Sequence, residues 1–220
     1  MVSFRSLALV GAMLASASLS QAQTVTFDCT KVPNICSNDC YALQCLGKPS
    51  TLHRDSSDSA EHRTENACKS PNRCSGNPSD SNSCDEYPYA SSQEGGAGAV
   101  TRCVPSHENS VQGGTLSSFY SRAGIEDGDA YQVAFSSTSG LEYCDGDCDN
   151  SGNELVRRAV ALQGRSEAAN LYTKRHFLLE DGQDVLVFEP KSQQGSLDSL
   201  VGTMTYLAHE DRSVKIVKAL

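Results

Sequence analysis

The residues best suited to chemistry lie close together, in the stretch CDEYPYASSQEGGAGAVTRCVPSHENSVQGG from Cys84 to Gly114. Asp85 and Glu86 precede Tyr87-Pro88, and the proline ring stiffens the chain beside them. Glu94 opens Gly95-Gly96-Ala97-Gly98, where missing Cβ atoms permit positive φ and close backbone approach. His107, Glu108 and Asn109 then set an imidazole, a carboxylate and an amide side by side. Carboxylates and amides are the oxygen donors that Mg²⁺, Mn²⁺ or Ca²⁺ prefer. A carboxylate that takes a proton from water, next to a cation that neutralises developing charge, would carry out metal-assisted hydrolysis. An aspartate at its ordinary pKa of about 3.9 is a weak base at neutral pH, unless a metal polarises the water or burial raises that pKa. His107 is the rival base, because imidazole titrates near neutrality. Taken alone, these residues fit an ordinary polar loop better than a site.

The elements that would position them are short. PSTLHR (49–54) and AVTRCV (99–104) suit strands, and SSDSAEHRTEN (56–66) has the composition of a charged helix ending before Pro71. TLSSFYSRA (115–123) suits a helix or turn, and AYQVAFS (130–136) a strand after the Glu126-Asp127-Gly128 turn. Beyond Gly140, ELVRRAVALQGR (154–165) has apolar spacing fit for a helix. VLVFEP (185–190), GTMTYLA (202–208) and SVKIVKAL (213–220) read as strands. The acidic loop Asp145-x-Asp147-x-Asp149-Asn150 begins like an EF-hand but has Asn150 at position six and Val156 at position twelve. Gly and Glu are needed there, so it reads as a disulfide-tied loop, with a weak Ca²⁺ site that includes Glu154 as the alternative.

The first 22 residues have the layout of a secretory signal peptide: Arg5, an apolar run from Leu7 to Leu14, and small residues before a cut after Ala22. That run is too short to span a bilayer. All ten cysteines follow the expected cut, and no Cys-x-x-Cys occurs, so disulfides in an oxidising compartment are expected over thiolate metal ligands. The pairing is open; Cys68–Cys74 is one local guess. A net charge of −9 argues against a passive nucleic-acid binder, but a bound cation would supply local positive charge to an enzyme. No Gly-x-Ser-x-Gly, His-Glu-x-x-His or P-loop is present.

The string CDEYPYASSQEGGAGA resembles the signature of the secreted NucA/NucB deoxyribonucleases, Asp-Glu-aromatic-Pro-x-Ala followed by Glu-Gly-Gly-x-Gly-Ala. The similarity extends upstream through STLHRDSSDSAEHRTENA and downstream through PSHENSVQGG and IEDGDAYQVAF, covering about residues 50–136. The resemblance implies a compact α+β fold related to the ββα-metal nucleases, a small mixed sheet with packed helices, here disulfide-rich. It implies Asp85 as general base, Glu86 as a supporting residue, and Asn109 and Glu94 at or near the metal. Arg54, Arg63 and Arg102 are the candidates for phosphate contacts, with Arg73 also in the set. This sequence departs from the bacterial pattern by one extra residue before Asn109, by lacking a later Glu in LSSFYS, and by carrying His53 at an acidic position.

The expected organisation is a signal peptide (1–22), a cysteine-rich segment (23–49), a nuclease core (50–139) and a C-terminal extension of the same domain (140–220). The expected activity is that of a secreted, extracellular, monomeric endonuclease using Mg²⁺ or Mn²⁺, with Ca²⁺ as a further candidate. Its substrate would be DNA, with RNA as the alternative, and it would have no membrane partner. A different class stands beside it: an inactive, disulfide-rich binding or effector protein on the same scaffold. A third is a Ca²⁺-binding structural module of the cell envelope.

Overall fold

The computed structural model describes residues 23–146, 148–150, 152–156 and 171–220, without the side chains of 155 and 156. It contains ten strands and three α-helices, with all three helices before the fifth strand. β1 (Gln23–Asp28), α1 (Pro33–Cys40), β2 (Thr51–His53), α2 (Ser59–Glu65), β3 (Ser83–Tyr87), β4 (Val100–Val104), α3 (Ser106–Ala123) and β5 (Ala130–Ser136) fill the first part. β6 (Glu154–Val156), β7 (Tyr172–Leu179), β8 (Asp184–Pro190), β9 (Met204–Leu207) and β10 (Arg212–Ala219) follow. The sheet β1-β9-β10-β7-β8-β5 closes on itself through a parallel β1–β5 pairing, and β2 adds to β5 beside β8. β3, β4 and β6 form a separate antiparallel sheet.

Strand periodicity explains why the barrel has two cores. Successive side chains point to opposite faces. In β8, Val185 and Val187 turn into the barrel with Phe177, Leu179, Leu207, Val214 and Ile216. Leu186 and Phe188, one residue out of step, face outward into a second core. Val25 and Phe27 of β1, with Tyr131, Val133 and Phe135 of β5, join them there, packed against α1, α3 and the small sheet. β5 is thus buried on both faces, which is why AYQVAFS shows no polar alternation.

The cysteine-rich front segment is therefore a structural partner: β1 is a barrel strand and α1 packs on β3 and β4. All ten cysteines are oxidised, as Cys29–Cys36, Cys40–Cys144, Cys45–Cys148, Cys68–Cys84 and Cys74–Cys103. The guess Cys68–Cys74 is corrected, since each of those residues bonds into the β3–β4 hairpin instead. Bridges 40–144 and 45–148 fasten the helical segment to the acidic loop across separations of 104 and 103 residues. That loop is held by disulfides, and Asn150 donates to Tyr41 Oη and to the Glu154 carbonyl. Residues 154–156, expected to open a helix, instead form β6 on β4; the rest of that expected helix lies outside the described residues. Among the described residues, no helix is long and apolar enough to cross a membrane.

Candidate active site

β3, β4 and α3 are consecutive elements, and β3 and α3 supply lining residues of a cleft of about 600 Å³. β3 and β4 pair antiparallel with Asp85 opposite Arg102 and Glu86 opposite Thr101, so Asp85 sits in mid-strand. α3 begins at Ser106, nine residues earlier than the segment TLSSFYSRA indicated, and buries Glu108, Gln112, Thr115, Leu116, Phe119 and Tyr120. That three- and four-residue spacing is one helical face. Gly113 and Gly114 lie on the open side, where an added Cβ would meet nothing within 4 Å. The helix stops at Gly124, whose φ of 64° suits a residue without Cβ.

Asp85 and Glu86 both line the cleft. Asp85 is 1 % exposed, and Asn38 Nδ2 donates to its Oδ2 at 2.8 Å. The amide of Gln112 faces the same carboxylate, yet neither Gln112 Nε2 nor Asp85 Oδ1 is in a hydrogen bond. Burial pushes the Asp85 carboxyl up to about 7, against the opposing pull of the neighbouring amides. Asp39, fully buried and bonded by Tyr89 Oη at 2.8 Å, is pushed well up by burial and then by the Asp85 charge. Glu86 is raised by burial, while Asn66 donates to its Oε2 and the charges of Arg63 and His62 oppose the rise.

Asn109, in the first turn of α3, also lines the cleft. Its Nδ2 donates to Ser83 Oγ and to the Cys84 carbonyl, both at 2.9 Å, so the atom it can offer to a ligand is Oδ1. Arg54 and Arg63 also line the cleft. The Arg54 guanidinium lies 4.9 Å over the Tyr120 ring, donates to the Ile125 carbonyl and is 3.6 Å from Asp127. The serines at 56, 59, 83, 91, 106, 110 and 117 complete a polar lining.

Three expected site residues are elsewhere. Glu94 accepts from the His53 backbone N–H at 3.0 Å and pairs with His53 Nδ1 at 2.7 Å, so both its oxygens are engaged and it is off the cleft wall. Arg102 does not line the cleft: its guanidinium reaches across the sheet to Glu154, with Glu142 and Asn34 around it. His107 is exposed and does not line the cleft. The glycine run is likewise a wall support. A Cβ on Gly95 would come within 2.4 Å of the Tyr89 carbonyl, and Gly96, at φ 78°, lies against Glu65 and His62 of α2.

Sequence reasoning missed Asn38, Asp39, Asn66, Gln112 and Tyr120. Gln112 was detectable, since it lies three residues after Asn109 and shares its helical face. Asn38 and Asp39 gave no local sign, because only tertiary packing carries them from the front segment to β3.

The cleft offers hard oxygen donors, namely Asn109 Oδ1, Glu86 and the unpartnered Asp85 Oδ1. Among the described residues no three His, Cys, Asp or Glu side chains converge as a metal cage. A donor set this sparse fits Mg²⁺ or Mn²⁺ better than a caged cation, because such ions keep several waters and lean on substrate phosphates.

A disulfide-stapled α/β protein with a barrel and a buried aspartate beneath a serine- and arginine-lined cleft is the class defined by this geometry. The family model described as Deoxyribonuclease NucA/NucB matches residues 39–134, and over that segment the chain is similar to that family. The match runs from Asp39 through most of β5 and includes every cleft-lining residue. No curated protein matches this sequence.

Proposed function

We propose that this protein is a secreted, divalent-metal-dependent endonuclease that hydrolyses DNA phosphodiester bonds in the cleft over Asp85. The observation that carries the reading is Asp85 itself: buried, tied through one oxygen, unpartnered at the other, and pushed up to about 7. A base works best when its pKa lies near the working pH, and burial brings this aspartate there. The hairpin β3–β4 leading straight into α3 supports a ββα-metal type of core.

In this reading a water bound in the cleft gives its proton to Asp85 as its oxygen attacks phosphorus, and the P–O bond to the leaving sugar oxygen breaks. Arg54 and Arg63 hold the flanking phosphates as cations that are already fixed in place. Asn109 Oδ1 and Glu86 would hold Mg²⁺ or Mn²⁺, which when bound neutralises charge on the phosphate. Glu86 is oriented for this by Asn66. The family name supports DNA as substrate, and five disulfides suit an oxidising, extracellular setting.

The test is cleavage of supercoiled plasmid, and of RNA in parallel, by protein lacking residues 1–22, with Mg²⁺, Mn²⁺, Ca²⁺ or chelator. Asp85→Ala should lower cleavage by about 10²–10⁴-fold, while His107→Ala should matter little. Cleavage that survives chelator, or a dead His107→Ala beside an active Asp85→Ala, refutes the reading. Folded protein that binds DNA without cutting it would favour the inactive scaffold.

A further inference from the structure

Among the described residues, seven buried side-chain polar atoms lack a hydrogen-bond partner, and four of them belong to Asp85 and the residues around it: Asn38 Oδ1, Asp39 Oδ1, Asp85 Oδ1 and Gln112 Nε2. Buried polar groups left unpaired destabilise a fold, so a cluster of them signals a function that outweighs that cost. Asn38 is fully buried on an eight-residue helix that is clamped from several sides. Glu108 of α3 accepts from the Asn34 and Ile35 N–H groups at its N-terminus, and Cys40–Cys144 and Cys29–Cys36 hold its other parts. From this mount Asn38 Nδ2 reaches Asp85 Oδ2 at 2.8 Å and the Val100 carbonyl at 3.3 Å.

We propose that Asn38 is the positioning residue of the hydrolytic base, fixing one oxygen of Asp85 so that the other is kept for the proton. The proposal rests on the nuclease reading above. Rotation about a carboxylate's Cβ–Cγ bond is otherwise broad, and a single donor from a rigid helix selects one orientation. Asn38 lies just before the segment matched by the family model, so this device belongs to the front segment of this chain. The disulfides there thereby become part of the catalytic geometry, because they set where α1 stands over β3.

The experiment uses full-length mature protein and a short labelled DNA duplex. Cleavage is measured as kcat and KM with Mg²⁺, duplex affinity in chelator by fluorescence anisotropy, and folding by near-UV circular dichroism. Asn38→Leu keeps the buried volume and removes the donor; Asn38→Ala serves as the second variant. The expected result is kcat lower by about 10- to 100-fold, as when an outer partner of an active-site group is removed, with KM and duplex affinity unchanged. Wild-type kcat in folded Asn38→Leu overturns the proposal. So does a loss that merely follows the folded fraction, or failure of both variants to fold, since either makes Asn38 structural. Should wild type not cleave, or Asp85→Ala remain active, the nuclease reading fails first and takes this proposal with it.

Discussion

Replacing Asp85 with Asn should make the protein more stable as it makes it inactive, and the gain should depend on pH. Folding raises the Asp85 carboxyl from its ordinary value of about 3.9 to about 7, because burial penalises the charged form. The folded protein therefore holds a proton that the unfolded chain has lost between about pH 4 and pH 7. Below that window Asp85 is protonated in both states and costs nothing. As pH rises through it, stability falls, and above about 7 the full cost of a buried charge is present. At about 1.4 kcal/mol per pH unit the cost approaches roughly 4 kcal/mol. Coupling to Asp39 and relaxation of the cleft reduce this, so about 2–4 kcal/mol is the expected gain for Asp85→Asn at pH 8. At pH 4 the gain should nearly vanish. Asn fits because it keeps the acceptor that Asn38 Nδ2 needs. Asp39 is present in both proteins, so the part of its pH slope due to burial cancels in the difference, while the part due to the Asp85 charge is lost in the variant. Urea unfolding of both proteins in chelator, at intervals from pH 4 to pH 8, measures the effect. A gain that does not change with pH, or an Asp85→Asn protein less stable at pH 8, would show that the site does not hold an unfavourable buried charge.

The two classes of arginine should separate in kinetics. Arg54→Ala and Arg63→Ala should weaken duplex binding, measured by anisotropy at low salt, whereas Arg102→Ala should leave binding unchanged. Arg102 is paired with the fully buried Glu154 side chain, so its removal should instead destabilise folding by about 3–5 kcal/mol in denaturant titration. Cys68 and Cys84 both line the cleft next to Asp85, and both are half-buried. Graded reduction with a small thiol, followed by alkylation and peptide mapping, should open this bridge before the buried Cys40–Cys144, and cleavage should decline with it. Replacing Glu94 with Ala should release the His53 clamp, lowering the melting temperature. Added Mg²⁺ should not restore the loss, as it would for a metal ligand.

The candidate site was legible where it is local. Asp85, Glu86 and Asn109 were readable because hairpin and helix follow one another along the chain, so residues close in sequence are close in space. Glu94 and Arg102 have the right chemistry at the right spacing, but Glu94 lies in a turn whose packing turns it to His53, and the long Arg102 side chain reaches across its own sheet face. Arg102 is opposite Asp85 in register, yet its side chain ends at Glu154, 52 residues on. The β7 strand, YTKRHFLL, escaped because Lys, Arg and His interrupt its apolar pattern. In the fold Arg175 pairs with buried Glu189 and with Asp198, so a charged residue sits on the barrel wall at little cost.

By itself the sequence determined that the cysteines form disulfides, the mixed α and β character, the family motif and the residue types of the candidate site. These depend on composition and on spacings of a few residues, which local geometry converts directly into structure. Tertiary structure alone decided which cysteines pair, that β1 closes a barrel with strands from the far end of the chain, and that Asn38 meets Asp85. It also decided how strongly Asp85 holds a proton. Each of these depends on contacts between residues dozens to well over a hundred positions apart, and on burial, which belongs to the packed chain and not to any segment of it.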